Sequence, residues 1–253
     1  MSNSSLVNCK MLSPNHSGKR THSIDRITPH CVVGQFSAEG IGRCFNNKSR
    51  EASCNYGIGN DGRVILVVDE ANRSWCSSNR DNDQRAVTIE CASDKAAPYT
   101  FNDVVYAKLI ELCVDICKRN GKTKLIWLGD KDKTLAYNPA VNEMVLTVHR
   151  WFANKSCPGD WMYQRMGDLA AKVTAKLGGA IKTSTPTFSP YKVRVSIKDL
   201  NIRKGPGTNY ASSGFCSVGV YTIIEESDGA GATKWGKLKS GAGWVSLDYA
   251  KRV

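Results

Sequence analysis

Apolar and polar residues alternate over residues 24–33, a two-residue period that suits a strand ending beside Gly34. Residues 55–58 and 63–68 repeat that pattern on either side of Asn60, Asp61 and Gly62, whose small polar side chains and glycine suit a hairpin turn. Residues 86–91 (AVTIEC) and 124–128 read as two further strands. Between them Val105, Leu109, Leu112, Cys113 and Ile116 recur at three- and four-residue steps, which predicts a helix with one buried face. Asn102 or Asp103 is placed to cap this helix, and Gly121 to stop it. Residues 144–152 suggest another short helix. Residues 160–177 suggest a longer one, with Arg165, Leu169, Val173 and Leu177 spaced by fours. Strands and helices alternating over residues 20–180 predict a mixed α/β domain.

Gly178 and Gly179 close that last helix, and the run KTSTPTFSP over 182–190 has the Ser, Thr and Pro content of a linker. Residues 191–253 hold many short alternating runs punctuated by glycine and no convincing helix, which predicts a small all-β barrel. The expected organisation is a first domain over 1–179, a linker over 180–190 and a second domain over 191–253.

Composition changes this picture only at a few points. With 253 residues, 41% of them hydrophobic, the chain has the make-up of an ordinary soluble globular protein. No apolar run approaches the roughly 20 residues a membrane-spanning helix requires, so no membrane insertion is expected. The first ten residues, MSNSSLVNCK, lack a charged start followed by an apolar stretch, and no secretory signal is read there. The ten cysteines are irregularly spaced with no CxxC pair, and the expectation is reduced thiols acting as small core residues. Cys113 and Cys117, one helical turn apart, fall under that expectation as well. A formal net charge of +12 implies attraction to a polyanion. The basic residues are dispersed rather than clustered with aromatics, which weakens a nucleic-acid reading and leaves a teichoic-acid-bearing Gram-positive wall as a polyanionic partner.

The candidate chemistry lies in the run HRWFANKSCPGD over 149–160. His149 and Cys157 stand eight positions apart, and the Pro-Gly after the cysteine turns the chain and can fix the direction of its sulfur. The chain has only four histidines. One of them, His30, stands at the end of the first predicted strand and could supply a third ligand. Two imidazoles and a thiolate fill three corners of the zinc tetrahedron and leave the fourth for water, whose pKa zinc lowers. Taken alone, a strand-end histidine is more often a hydrogen-bonded core or surface residue. His16 and His22 precede the first strand with no partner evident.

The run over 149–160 resembles the C-terminal signature of the zinc amidases that cleave N-acetylmuramoyl-L-alanine bonds, a family that includes amidase-type phage lysozymes and peptidoglycan recognition proteins. ITPH over 27–30 resembles the strand delivering the family's first histidine, NYGIGNDGRV over 55–64 its tyrosine-bearing hairpin, and VTIE over 87–90 the strand with an acidic catalytic residue. The match runs over about residues 15 to 175 in the family's order. The resemblance implies a mixed central β-sheet flanked by helices, one Zn2+ per chain held by His30, His149 and Cys157, and hydrolysis of the amide between N-acetylmuramic acid and L-alanine. It assigns ligation to the first position of His30-Cys31, where many members carry two histidines. Cys31 then packs, with a Cys31 ligand in place of His30 as the alternative. Glu90 is implied as the base, against a plain surface carboxylate. Lys155 could polarise the scissile carbonyl, and Tyr56 could hydrogen-bond the same oxygen or orient the water.

LNIRKGPGTNY over 200–210 resembles the signature turn of bacterial SH3-like domains, and GWVSLDY over 243–249 their closing strand. The resemblance implies a wall-binding module in which Asn201, Arg203, Tyr210 and Trp235 could line a polar-aromatic groove, with Trp244 in the core. Together these features resemble a phage endolysin of a Gram-positive, clostridial-like host, made in the cytoplasm without a signal peptide and acting on the wall after release. A bacterial autolysin with the same chemistry and a non-catalytic peptidoglycan-binding protein are the competing readings.

Overall fold

A computed structural model of the chain describes residues 2–178 and 190–253. They belong to two compact units, Met1–Lys182 and Thr183–Val253. Gly179 and residues 180–189 of the expected linker lie outside the described residues.

The first unit opens with β1 (Val7–Lys10), β2 (His16–Lys19), β3 (Arg26–Cys31) and α1 (Ala38–Phe45). The hairpin follows as β4 (Tyr56–Ile58) and β5 (Val64–Leu66), then β6 (Asn72–Ser74), α2 (Arg80–Arg85) and β7 (Ala86–Cys91). The rest comprises α3 (Asp103–Arg119), β8 (Lys124–Ile126), α4 (Lys131–Ala136), β9 (Glu143–Leu146), α5 (Asp160–Tyr163) and α6 (Met166–Lys176). Seven strands join in the order β1-β5-β4-β7-β3-β9-β8. The run from β4 to β8 is parallel, and β5 is antiparallel to β4. The five parallel strands therefore present their carboxyl ends to one edge, where crevices form in open sheets of this kind. The mixed α/β architecture agrees with the sequence pattern.

Successive strand residues face opposite sides of a sheet. Ile27, Val87, Ile89 and Tyr56 share a buried cluster with Leu109, Leu112 and Ile116 of α3 and with Leu169 and Val173 of α6. The apolar stripe of α3 is thus its buried face, and Cys113 and Cys117 lie within it. Asn102 caps this helix, its side chain accepting from the Val105 N–H at 2.8 Å. On the other side of the sheet Ala38, Ile41 and Phe45 of α1 cover Ile65 and Val67. In the hairpin Gly62 adopts a φ of +80°, which its lack of a Cβ permits.

Two local expectations give way to tertiary contacts. Residues 144–152 form a strand and a 3-10 turn (His149–Trp151), not one helix. Pairing with β3 captures them, through the Val145 N–H to Asp25 O and the Thr147 N–H to Ile27 O. Residues 160–177 are two helices, because Arg165 leaves the apolar stripe to lie 4.1 Å above the Trp161 ring and donate to the Trp161 carbonyl. Asp130 caps α4, its side chain accepting from the Lys133 N–H at 2.8 Å.

In the second unit β10 (Tyr191–Val195), β11 (Leu200–Arg203), β12 (Ser212–Cys216), β13 (Gly219–Gly229), β14 (Ala232–Leu238), β15 (Trp244–Ser246) and β16 (Ala250–Arg252) form an antiparallel sheet. Its order is β12-β11-β15-β14-β13-β10-β16, and Val193, Leu200, Ile223 and Val245 form a core of its own. Among the described residues no helix is long and apolar enough to cross a membrane.

Candidate active site

Three strand ends bring the chemistry together. β3 places His30 next to its carboxyl terminus, and the register pairs His30 with Glu90 of β7. Partners in register point to the same face, so imidazole and carboxylate share one side of the sheet. β9 continues through Thr147 and Val148 into the 3-10 turn that begins with His149. The loop beyond returns Cys157, whose carbonyl accepts from the Arg150 N–H at 3.1 Å. Cys157 Sγ lies 3.2 Å from His30 Nδ1, and the two imidazole centroids are 5.1 Å apart. One donor atom from each of His30, His149 and Cys157 falls within 4.8 Å of the others. This donor set contains His30 and not Cys31, and His16 and His22 belong to no such set among the described residues.

The electrostatics suit a cation. Burial, then the neighbouring His149, holds the His30 pKa well below its ordinary value, and burial and Lys155 lower that of His149. Both imidazoles are therefore neutral and free to act as ligands. Burial pushes the Cys157 thiol up, helped by the adjacent Cys31 thiol and Glu90. A divalent ion would reverse that cost by taking the thiolate. Burial pushes Glu90 up to about 7, against the opposing pull of its Cys76 hydrogen bond and the Arg50 charge. His30 Nε2 and Glu90 Oε2 are buried without a hydrogen-bond partner.

The support beneath these groups was not legible in the sequence. Ser78, itself on the cleft wall, places its Oγ 3.0 Å from His149 Nε2 and so restrains the ring, with Nδ1 as its other donor atom. Ser78 is held by a loop wrapped around the buried Asp83, which accepts from the Cys76 and Ser77 N–H groups and from Ser77 Oγ. Asn82 bridges Thr28 and Ser77, and accepts from Thr147 Oγ1, itself 2.7 Å from Thr28 Oγ1. The run of Ser and Asn over 77–79 carries no periodic pattern that would announce this role. Gly159 (φ +86°) brings the Cys157 loop close to residues 98–99, where a Cβ would meet Pro98 O at 2.7 Å.

A cleft of about 1140 Å³ opens over this cluster. Glu90, His149 and Cys157 line it, and Lys155, Arg50 and Arg80 are exposed on its wall, with Arg73 half-buried beside them. Among the described residues these four cations form no ion pair. Tyr56 is not brought to the cleft, a correction to the sequence expectation. The register pairs it with Ile89, not Glu90, so its ring points to the opposite face. There it is fully buried, and its hydroxyl donates to Glu70 Oε2 at 2.7 Å and accepts from the Ser4 N–H.

A family model described as N-acetylmuramoyl-L-alanine amidase matches residues 20–160, more than half of the chain and every residue of the donor set. The chain belongs to the N-acetylmuramoyl-L-alanine amidase family. Its activity is accordingly that of a peptidoglycan amidase. No curated protein matches the sequence. Among solved structures it is similar to the endolysin amidase LysCS of Clostridium intestinale, at 14% identity and TM-score 0.43, covering 69% of this chain and 98% of that one. A mutant endolysin from Bacillus subtilis is similar at 16% identity and TM-score 0.42, covering 66% and 99%. An AmpD derivative is similar at 17% identity and TM-score 0.45, covering 65% and 96%. These likenesses add no weight to the assignment, which rests on the family match.

In the second unit Trp235 is only 2% exposed, which removes it from the expected groove. It alternates inward on β14, while Tyr210 is 44% exposed. Arg203 is turned to its own loop, donating to the carbonyls of Thr208 and Tyr210, and Asn201 accepts from Ser212 Oγ. Trp244 is buried.

Proposed function

We propose that the first unit hydrolyses the amide between the lactyl group of N-acetylmuramic acid and the L-alanine of the stem peptide with one zinc ion held by His30, His149 and Cys157. The convergence of these three donors, His30 from the end of β3 and His149 and Cys157 from the turn and loop after β9, with both imidazoles neutral, carries this reading. Two nitrogens and a sulfur are a donor set that zinc takes with a fourth position left open. Zinc bound there supplies Lewis-acid activation of water and of the scissile carbonyl.

The remaining steps belong to side chains. Glu90, in register with His30 and lining the cleft, accepts the proton of the attacking water and returns it to the leaving amine. Lys155, on the cleft wall and close enough to act on the His149 charge, steadies the developing oxyanion. Ser78 keeps the His149 ring from rotating away.

On the same footing, residues 1–179 form the catalytic domain, 180–190 a linker, and 191–253 an SH3-like domain that binds the wall. Asn201, Arg203 and Tyr210 remain the candidates for that contact. The net charge of +12 supports a Gram-positive, teichoic-acid-bearing wall as the partner. The role that fits is that of a phage endolysin in lysis of a Gram-positive, clostridial-like host, acting on the wall after release. Digestion of purified peptidoglycan tests the chemistry. Free alanine amino groups should appear without new reducing ends, and chelation or Cys157→Ala should stop the reaction. Reducing ends, or full activity in chelator, would refute the reading.

A further inference from the structure

The cleft holds a second cluster, which shares Glu90 and His30 with the proposed catalytic centre and adds Cys76, a residue the reaction does not use. Cys76 is almost fully buried, and its Sγ lies 3.9 Å from Glu90 Oε1. Donor atoms of Cys76, Glu90 and His30 also fall within 4.8 Å of one another. Glu90 Oε2 has no hydrogen-bond partner and is shielded from solvent, so this carboxylate keeps an unfilled acceptor aimed into protein. An acceptor buried in that state costs free energy that a cation would recover. His30 belongs to both clusters, which makes the two positions neighbours. Its Nδ1 lies 3.2 Å from Cys157 Sγ, on the side of the first cluster.

We propose that Cys76 and Glu90 form a second metal position beside the first, and that a thiophilic divalent cation such as Zn2+ or Cd2+ bound there inhibits the amidase. The inference rests on the proposed role of Glu90 as base. A soft sulfur and a carboxylate make a mixed donor pair that zinc and cadmium accept readily, with solvent completing the coordination. Binding replaces the Cys76 S–H proton by a sulfur–metal bond and releases that proton to solvent. The Glu90 carboxylate becomes a ligand by the same event, and a carboxylate whose lone pair is shared with a cation no longer accepts the proton of water. Cys76 has no part in the reaction itself. Low metal therefore activates the enzyme and excess metal silences it, with two side chains separating the effects.

The test is a titration of chelated full-length protein with Zn2+, and in parallel with Cd2+. Bound metal, proton release and thiolate-to-metal absorption are followed together with turnover. The wild type should regain turnover at the first equivalent, then take up a second with further proton release and loss of turnover. Cys76→Ala, and Cys76→Ser as the variant closer in volume, should stop at one equivalent and stay active in excess metal. Saturation of the wild type at one equivalent would overturn the proposal. So would Cys76 variants that take the second equivalent and lose activity as the wild type does. Failure of the underlying reading looks different, since the first equivalent would then restore no turnover in any of the three proteins.

Discussion

Glu90, the proposed base, carries a cost in stability that can be followed at a single residue. Its ordinary carboxyl pKa of 4.5 rises to about 7 on burial, so between these values the folded metal-free protein binds more protons than the unfolded chain. The sign follows directly. Stability is complete below about 4.5 and is lost as pH rises through about 7, by an amount on the order of 3 kcal/mol. Glu90→Gln removes the ionisable group, so the metal-free variant should outlast the wild type above pH 7 and match it in acid. Thermal melts across that range check this. The same substitution should slow wall hydrolysis by about a hundredfold, the usual scale for a lost general base. A variant as fast as the wild type would take Glu90 out of the reaction.

At the scale of elements, register decides which side chains meet. β4 and β7 pair Tyr56 with Ile89 and Gly57 with Glu90, so one residue separates a cleft position from a core position. Tyr56 accordingly serves the Glu70 cluster, where Arg119 Nη1 and Nη2 donate to the two carboxylate oxygens at 2.8 and 2.7 Å. Tyr56→Phe should cost about 1–2 kcal/mol by denaturant titration, from the loss of one buried hydrogen bond, with turnover unchanged. A large loss of turnover would return Tyr56 to the chemistry. This explains what could be read from the chain. The α3 stripe, the hairpin and β7 carry their own periodicity, and the sequence showed them nearly to the residue. β9 was misread because pairing with β3 overrides its local pattern. β1 pairs with β5, more than fifty positions away, and left no signal in its own four residues. The donor residues were legible through the family's motif. Ser78, Asp83 and Asn82 were not, since a polar side chain that acts by holding another through hydrogen bonds follows no period.

At the scale of the molecule, each unit has its own apolar core. Calorimetry of the full chain should resolve two unfolding transitions, because independent cores have no reason to melt together. Saturating zinc should raise the first unit's transition alone, by up to about 4 kcal/mol at a thousandfold excess over the dissociation constant. A shift of both transitions by the same amount would show that the cores unfold as one. The hydroxyl and amide seam of Thr28, Thr147, Asn82 and Ser77 near the donor set constrains how the protein can diverge. Each member is spoken for by another, so exchanging one strands its neighbours in a dry interior. Adaptation to a new substrate is therefore steered outward, to exposed residues of the cleft wall such as Arg80, which hold no bond within that seam.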